Sequence, residues 1–282
     1  MSEILAMKKI LVVEDDRATR YLLSRTLQTE GYAVSTANDG AQGLRQMRKQ
    51  EFDLVLLDVW MPRMNGLELL AKMRTEGLHT KAVVLTSDDT PETLLRAVRE
   101  QAWQYISKPI EPGRLVELVR EALDATPVPG IEVLSGLPEW VELLVPCDRN
   151  AAERIQGFIA RLETDLPEEV RESVGMVFHE MLMNAIEWGG QFDPNRKVRI
   201  SCIRTRRMVL YRIADPGKGF QFEDLSHAAV NYAPEERAES AVVRHEKGIR
   251  PGGFGILMAR SMVDELLYNE VHNEVLFVKY LG

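Results

Sequence analysis

The sequence predicts a chain of two unlike halves. The first is an α/β doubly wound parallel sheet of five strands, and the second an α+β sandwich with an antiparallel or mixed sheet. Three observations carry this reading. Within residues 9–108, short apolar runs alternate regularly with amphipathic stretches, the pattern of a parallel sheet covered by helices on both faces. The stretch 126–138, TPVPGIEVLSGLP, holds three prolines and two glycines and reads as a linker or irregular docking segment. Beyond it, helical patterns are grouped ahead of strand-like runs, as in an α+β domain. The expected organisation is therefore residues 1–125, a linker at 126–138, and a second domain at 139–282.

The strands of the first half are the runs 10–13, 33–36, 54–57, 82–85 and 105–107, most of them rich in β-branched residues or leucine. Apolar residues between them recur at helical spacing. Tyr21, Leu22 and Leu27 mark one helix, Leu67, Leu70 and Met73 another, and Leu94, Leu95 and Val98 a third. A last helix runs from about Pro112 to Leu123. In the second half, 149–163 and 168–188 read as consecutive helices. Strand-like runs follow at 198–203 and 208–213, then a glycine-bearing loop and a polar stretch. A Gly-rich entry into a helix near 254–265 precedes a closing strand at 275–280.

Composition limits the function. Lys+Arg 35 against Asp+Glu 43 gives a net charge of -8, and neither half is a basic module: residues 1–125 carry 17 basic and 19 acidic side chains, the remainder 18 and 24. A direct nucleic-acid partner is not expected from this balance. Cys147 and Cys202 stand far apart and outside any C-x-x-C, so neither a disulfide framework nor a thiolate zinc site is expected. No apolar run reaches the ~18 residues of a membrane span, and the opening MSEILAMKKI lacks the long apolar segment of a signal peptide. A reduced cytoplasm fits these features, with no membrane partner.

In a doubly wound parallel sheet, chemistry gathers at the carboxyl ends of the strands. Those ends carry Glu14, Asp15 and Asp16 after the first strand, Asp58 at the third, Thr86 and Ser87 at the fourth, and Lys108 and Pro109 after the fifth. Clustered carboxylates repel one another and call for a counter-charge. A hard cation such as Mg²⁺, with oxygen ligands, is the natural one, and Lys108 adds a point charge suited to a phosphoryl oxygen. A carboxylate beside Mg²⁺ can accept a phosphoryl group and become an acyl phosphate.

The segments ILVVEDD, LVLLDVWMPRMNG, VVLTS and YISKP make residues 8–124 resemble a response-regulator receiver domain of flavodoxin-like fold. The resemblance implies that Asp58 is the phosphoacceptor and that Glu14 and Asp15 are the acidic pair holding Mg²⁺ with Asp58. It makes Thr86 the switch hydroxyl, Tyr105 the switch aromatic and Lys108 the phosphate-sensing lysine. Asp16 becomes an outer neighbour. A departure is Gln101-Ala102, where the family often has a pair of small residues before the aromatic strand.

Three further segments mark the second half. In 178–190, FHEMLMNAIEWGG, Glu180 and Asn184 are four apart and share a helical face. In 214–220, ADPGKGF, the glycines allow close backbone approach and Asp215 can accept a hydrogen bond from an adenine amino group. In 250–258, RPGGFGILM, a Gly-rich turn opens a helix whose free N–H groups can face phosphates. Together and in this order they resemble the N, G1 and G2 boxes of the Bergerat-type ATP-binding fold, and among its members the anti-sigma-factor serine/threonine kinases. The resemblance covers roughly 140–282. It implies ATP and Mg²⁺ as cofactors, Asn184 as the Mg²⁺ ligand, Glu180 as base or water-positioning acid, and Asp215 as adenine reader. Gly217, Gly219, Gly253 and Gly255 would line the nucleotide, and 221–250 would form a lid containing His227 and His245. Trp188 stands where this kinase group often has histidine. The pair His179-Glu180 also matches the start of a histidine-kinase phosphoacceptor box. The same helix already supplies Asn184, however, and no second asparagine box follows, so a helix-packing or Glu-adjacent histidine is the preferred reading.

The expected function is a two-component response regulator. A sensor histidine kinase would phosphorylate Asp58, and this would control an ATP-dependent output acting on an anti-anti-sigma-type partner or a sigma factor. The alternative is a binding module that holds nucleotide without catalysis. Because both families often pair, a homodimer is compatible with the resemblance.

Overall fold

A computed structural model of the protein describes residues 7–87, 90–125, 129–220 and 255–282. The chain divides into two compact units, 1–127 and 128–282.

The first unit follows the order β1 (Lys9–Val13), α1 (Arg17–Thr29), β2 (Ala33–Ala37), α2 (Gly40–Met47), β3 (Leu54–Asp58), α3 (Gly66–Thr75), β4 (Lys81–Thr86), α4 (Pro91–Arg99), β5 (Gln104–Ser107) and α5 (Pro112–Asp124). Its strands lie in the order β2-β1-β3-β4-β5, and every pairing is parallel. Every residue of β3 and all of β1 but Lys9 is buried, because helices cover both faces. Ile10, Val12, Leu54, Leu56, Val83 and Leu85 form one core with Leu23 and Leu27 of α1 and Leu115, Leu118 and Val119 of α5.

Polar caps fix where the helices start. Asp16 caps α1 by accepting from Thr19 N at 2.7 Å, and Asp39 caps α2 by accepting from Gln42 N at 2.7 Å. Asn65 and Glu68 form a reciprocal capping box at the start of α3. Of the three residues that mark α1 in the sequence, Leu27 lies in the core beside Leu23, whereas Tyr21 and Leu22 are 67% and 53% exposed.

The second unit contains β6 (Glu132–Leu137), β7 (Trp140–Pro146), α6 (Arg149–Leu162), α7 (Glu168–Asn184), a π-helical turn (Ala185–Gly189), β8 (Lys197–Arg204), β9 (Met208–Ala214), α8 (Gly255–Met262), β10 (Glu265–Tyr268) and β11 (Glu274–Tyr280). Its sheet has the order β10-β11-β9-β8-β7-β6 and is antiparallel throughout. One face is packed by helices. Leu143, Ile200, Tyr211 and Phe277 of the sheet are buried along with Ile155, Val177 and Phe178 of α6 and α7. Tyr211 sits between Phe178 and Phe277, each 5.1 Å away between ring centroids.

Three sequence expectations change here. The expected linker 126–138 is shorter, because residues 132–137 are β6, an edge strand paired with β7. The α-helix expected to reach residue 188 ends at Asn184 and continues as the π turn. The helix expected at 254–265 ends at Met262, and Glu265 already opens β10. Cys147 and Cys202 are both free and buried. Among the described residues, no helix is long and apolar enough to cross a membrane.

Candidate functional sites

Parallel pairing brings the first site together. The ends of β1, β3, β4 and β5 lie side by side, with Val13 opposite Leu57, Asp58 opposite Leu85, and Thr86 opposite Ser107. Oxygens of Glu14, Asp15 and Asp58 lie within 4.8 Å of one another. Glu14 and Asp58 are buried, whereas Asp15 is exposed to arriving ligands. Lys108 Nζ donates to Asp58 Oδ1 at 2.6 Å and to Glu14 Oε2 at 2.7 Å. Its backbone N–H donates to Thr86 O at 2.7 Å, which ties the lysine to the end of β4. Thr86 is fully buried and Tyr105 nearly so.

Electrostatics follow from this packing. Burial raises the carboxyl groups of Glu14 and Asp58 above their ordinary range, while their bonds to Lys108 act in the opposite direction. Burial would lower Lys108, but its bonds to Asp58 and Glu14 outweigh it and hold the ammonium charged. Asp16 is outside the carboxylate group. It caps α1 while its backbone N–H donates to Glu14 Oε1 at 3.2 Å. Arg20 fixes the β1–α1 loop by donating to the carbonyls of Glu14 at 2.6 Å and Asp15 at 3.0 Å.

Other residues shape this pocket, among them Arg63 and Gly66 of the LVLLDVWMPRMNG segment, to which the sequence reading gave no role. A Cβ on Gly66 would lie 2.2 Å from Asp58 O, so α3 starts against the backbone of the candidate phosphoacceptor only because residue 66 has no side chain. The loop between Asp58 and Gly66 is anchored by Arg63, whose Nε donates to Asp39 at 2.9 Å and whose Nη2 bonds the same carboxylate. Burial pushes Asp39 up, but Arg63 and the N–H of Gln42 outweigh it and hold the carboxyl low. At the departure noted in sequence, Gln101 takes φ +63°, in the left-handed region that favours glycine, and Ala102 is buried.

The second site is built on α7 and two loops. Glu180 and Asn184, one turn apart, are both half-buried. A Cβ on Gly255 would lie 2.4 Å from Glu180 Oε2, so the start of α8 rests on that carboxylate. The π turn then brings Gly189 against Asp215, where an added Cβ would lie 2.1 Å from Oδ1; on Gly217 it would lie 2.7 Å from the same atom. Asp215 Oδ1 accepts from Gly217 N at 2.7 Å. Burial raises the Asp215 carboxyl, opposed by this bond and by the charge of Arg196. Glu180, Gly255, Asp215, Gly217 and Gly189 are therefore gathered by close packing, and π turns of this kind recur at functional sites.

Gly219 has φ +80°, and an added Cβ would meet Val271 O at 1.6 Å, so its lack of a side chain lets the β10–β11 turn pack against it. His179 is exposed on α7 and is not a packing residue. Trp188 is exposed as well. Gly253 and the expected lid 221–250, with His227 and His245, lie outside the described residues.

The family model of the response regulator receiver domain matches residues 10–120, and that of the histidine kinase-like ATPase domain matches residues 146–279. Response regulator MprA of Mycobacterium leprae is 36% identical over 118 residues, which is 42% of this chain and 52% of the relative. The chain thus spans about half the length of that relative. DNA-binding response regulator MtrA of Mycobacterium tuberculosis is 31% identical over 203 residues, 72% of this chain and 88% of the relative. A CheY-like receiver domain protein from Methanospirillum hungatei JF-1 is 34% identical, covering 42% of this chain and 95% of its own, with TM-score 0.41. The chain belongs to the response regulators, and its receiver domain is followed by a histidine kinase-like ATPase domain.

Proposed function

We propose that Asp58 accepts a phosphoryl group from a partner histidine kinase and that this modification controls an ATP-binding output domain. The observation that carries the first half is the gathering of Glu14, Asp15 and Asp58 oxygens within 4.8 Å beside a lysine bonded to two of them. A carboxylate oxygen of Asp58 bonds to phosphorus while the phosphorus–nitrogen bond of the donor's phosphohistidine breaks, and the released imidazole nitrogen takes up a proton. Glu14, Asp15 and Asp58, whose clustered oxygens suit a hard cation, would hold Mg²⁺, which would supply charge neutralisation for the phosphoryl group. Lys108 bonds Asp58 and would bond a phosphoryl oxygen after transfer. Thr86, tied through its carbonyl to the Lys108 backbone, and Tyr105 would carry the rearrangement along β4 and β5.

In the second domain, Asp215 would read an adenine amino group, Asn184 would hold Mg²⁺, and Gly217 and the Gly-rich start of α8 would receive the phosphates. Glu180 would orient or deprotonate the attacking hydroxyl of a serine or threonine on an anti-anti-sigma-type partner. The support is the packing of Gly189 and Gly217 on Asp215 and of Gly255 on Glu180.

Two labelling experiments test these halves. A small acyl phosphate with Mg²⁺ should label the wild-type chain at one carboxylate, and Asp58→Asn should remove the label; labelling that persists in Asp58→Asn contradicts the assignment. Labelled ATP should transfer to a serine or threonine of a partner, and Asn184→Ala should stop it. Tight ATP binding with no transfer to any partner would remove the kinase reading and leave a nucleotide-dependent binding module.

A further inference from the structure

The loop running from Asp215 to Phe220 is held from outside at three carbonyls. Arg196 Nη2 donates to Pro216 O at 2.6 Å. Asn273 Nδ2 donates to Gly217 O at 3.2 Å. His272 Nδ1 lies 2.8 Å from Phe220 O, and its ring stacks on Phe220 with centroids 5.2 Å apart. Phe220 N in turn donates to Val271 O at 3.1 Å. These contacts come from two sides: Arg196 from the segment before β8, the others from the β10–β11 turn.

The β10–β11 turn is itself built to present that donor. Asn269 Nδ2 donates to Asn273 Oδ1 at 2.8 Å, which leaves the Asn273 amide nitrogen facing Gly217 O. Asn269 Oδ1 accepts from the N–H groups of Asn273 at 3.1 Å and Glu274 at 3.2 Å.

A trans peptide is planar, so fixing its carbonyl fixes the N–H on the opposite side. Arg196 holds Pro216 O, and the N–H of the same peptide goes to Asp215 Oδ1 at 2.7 Å. Asn273 holds Gly217 O, which directs the N–H of Lys218 away from the β10–β11 turn. Carbonyl oxygens turned towards an anionic ligand repel it, whereas successive N–H groups attract it.

We propose that Arg196 and Asn273 are positioning residues that set the affinity of the second domain for ATP by orienting the peptide planes 216–217 and 217–218. The inference rests on the ATP-binding reading above and adds two residues that its motifs do not contain.

The test is calorimetric titration of the full-length chain with MgATP. Asn273→Asp keeps the shape and the acceptor facing Asn269 but replaces the donor with an acceptor, and should weaken binding about tenfold. Arg196→Ala should do the same, and Arg196→Lys, which keeps a charged donor, should restore affinity to within about twofold of wild type. Near-ultraviolet circular dichroism checks that each variant is folded; if Arg196→Ala is not, Asn273→Asp and Arg196→Lys decide. Wild-type affinity in Asn273→Asp, or Arg196→Lys binding more than about tenfold weaker than wild type, overturns the positioning role. A wild-type chain that binds no MgATP overturns the nucleotide reading and this inference with it, a result distinct from variants that match a binding wild type.

Discussion

A methyl group at position 66 would lie 2.2 Å from Asp58 O, a backbone atom that cannot swing aside. Gly66→Ala should therefore destabilise the receiver by about 3 kcal/mol and slow its phosphorylation, because relief requires moving either α3 or the end of β3. A melting curve combined with a labelling time course checks this; unchanged values would mean that α3 shifts freely. Asp15 is the exposed member of the carboxylate cluster. Mg²⁺ should raise the melting temperature of the wild-type chain by mass action, and Asp15→Asn should lose most of that gain. An undiminished gain in Asp15→Asn would place the cation elsewhere. The chemistry-bearing residues of this pocket were legible in the sequence, since residue type and strand-end position coincide for Glu14, Asp15, Asp58, Thr86 and Lys108. Gly66, Arg63 and Asp39 were not assigned from it, because a close backbone approach or a pair 24 positions apart exists only once the chain has folded. The same holds for Arg196 and Asn273, which act on carbonyls that any residue would supply.

Glu163 ends α6 in the core of the second unit, where it accepts from the hydroxyl of Tyr211 on β9. Burial pushes its carboxyl up to about 7; the Tyr211 bond and the charge of Arg204 on β8 oppose this, and Asp165 adds to it. Cys202 on β8 faces the same group, with its thiol pushed to about 12 by burial. An acid whose folded value lies above its unfolded 4.5 contributes stability that is complete below 4.5 and is lost as pH rises through about 7. The loss runs at no more than about 1.4 kcal/mol per pH unit. Glu163→Gln should flatten the stability profile between these values; denaturant unfolding at several pH values measures it, and identical wild-type and variant slopes would contradict the assignment. At this scale the strands of the first unit were readable from their apolar runs. The β6–β7 hairpin was not, because Gly136 and Pro138 imitate a linker. Gly136 lies on the edge strand and Pro138 in the tight turn after it, and such residues are tolerated at edges and turns. Helix α1 was readable from the spacing of Tyr21, Leu22 and Leu27, but which of these enters the core was not, since Tyr21 and Leu22 lie on its exposed side.

The whole chain carries a site that would receive a phosphoryl group from a partner and a second site that would bind ATP. Its motifs were legible because each pocket draws its polar groups from contiguous segments. What the regulation does was not legible, because coupling is a difference in free energy between two states and leaves no residue signature. If Asp58 phosphorylation controls the output domain, it must change a property of that domain by at least severalfold, equivalent to a coupling of about 1 kcal/mol or more. The most direct measurement is the MgATP dissociation constant, together with the rate of transfer to a serine or threonine partner, with and without prior phosphorylation. One of the two should change severalfold on phosphorylation, and Asp58→Asn should abolish the change. Equal values in both states, with Asp58 fully phosphorylated, would contradict it.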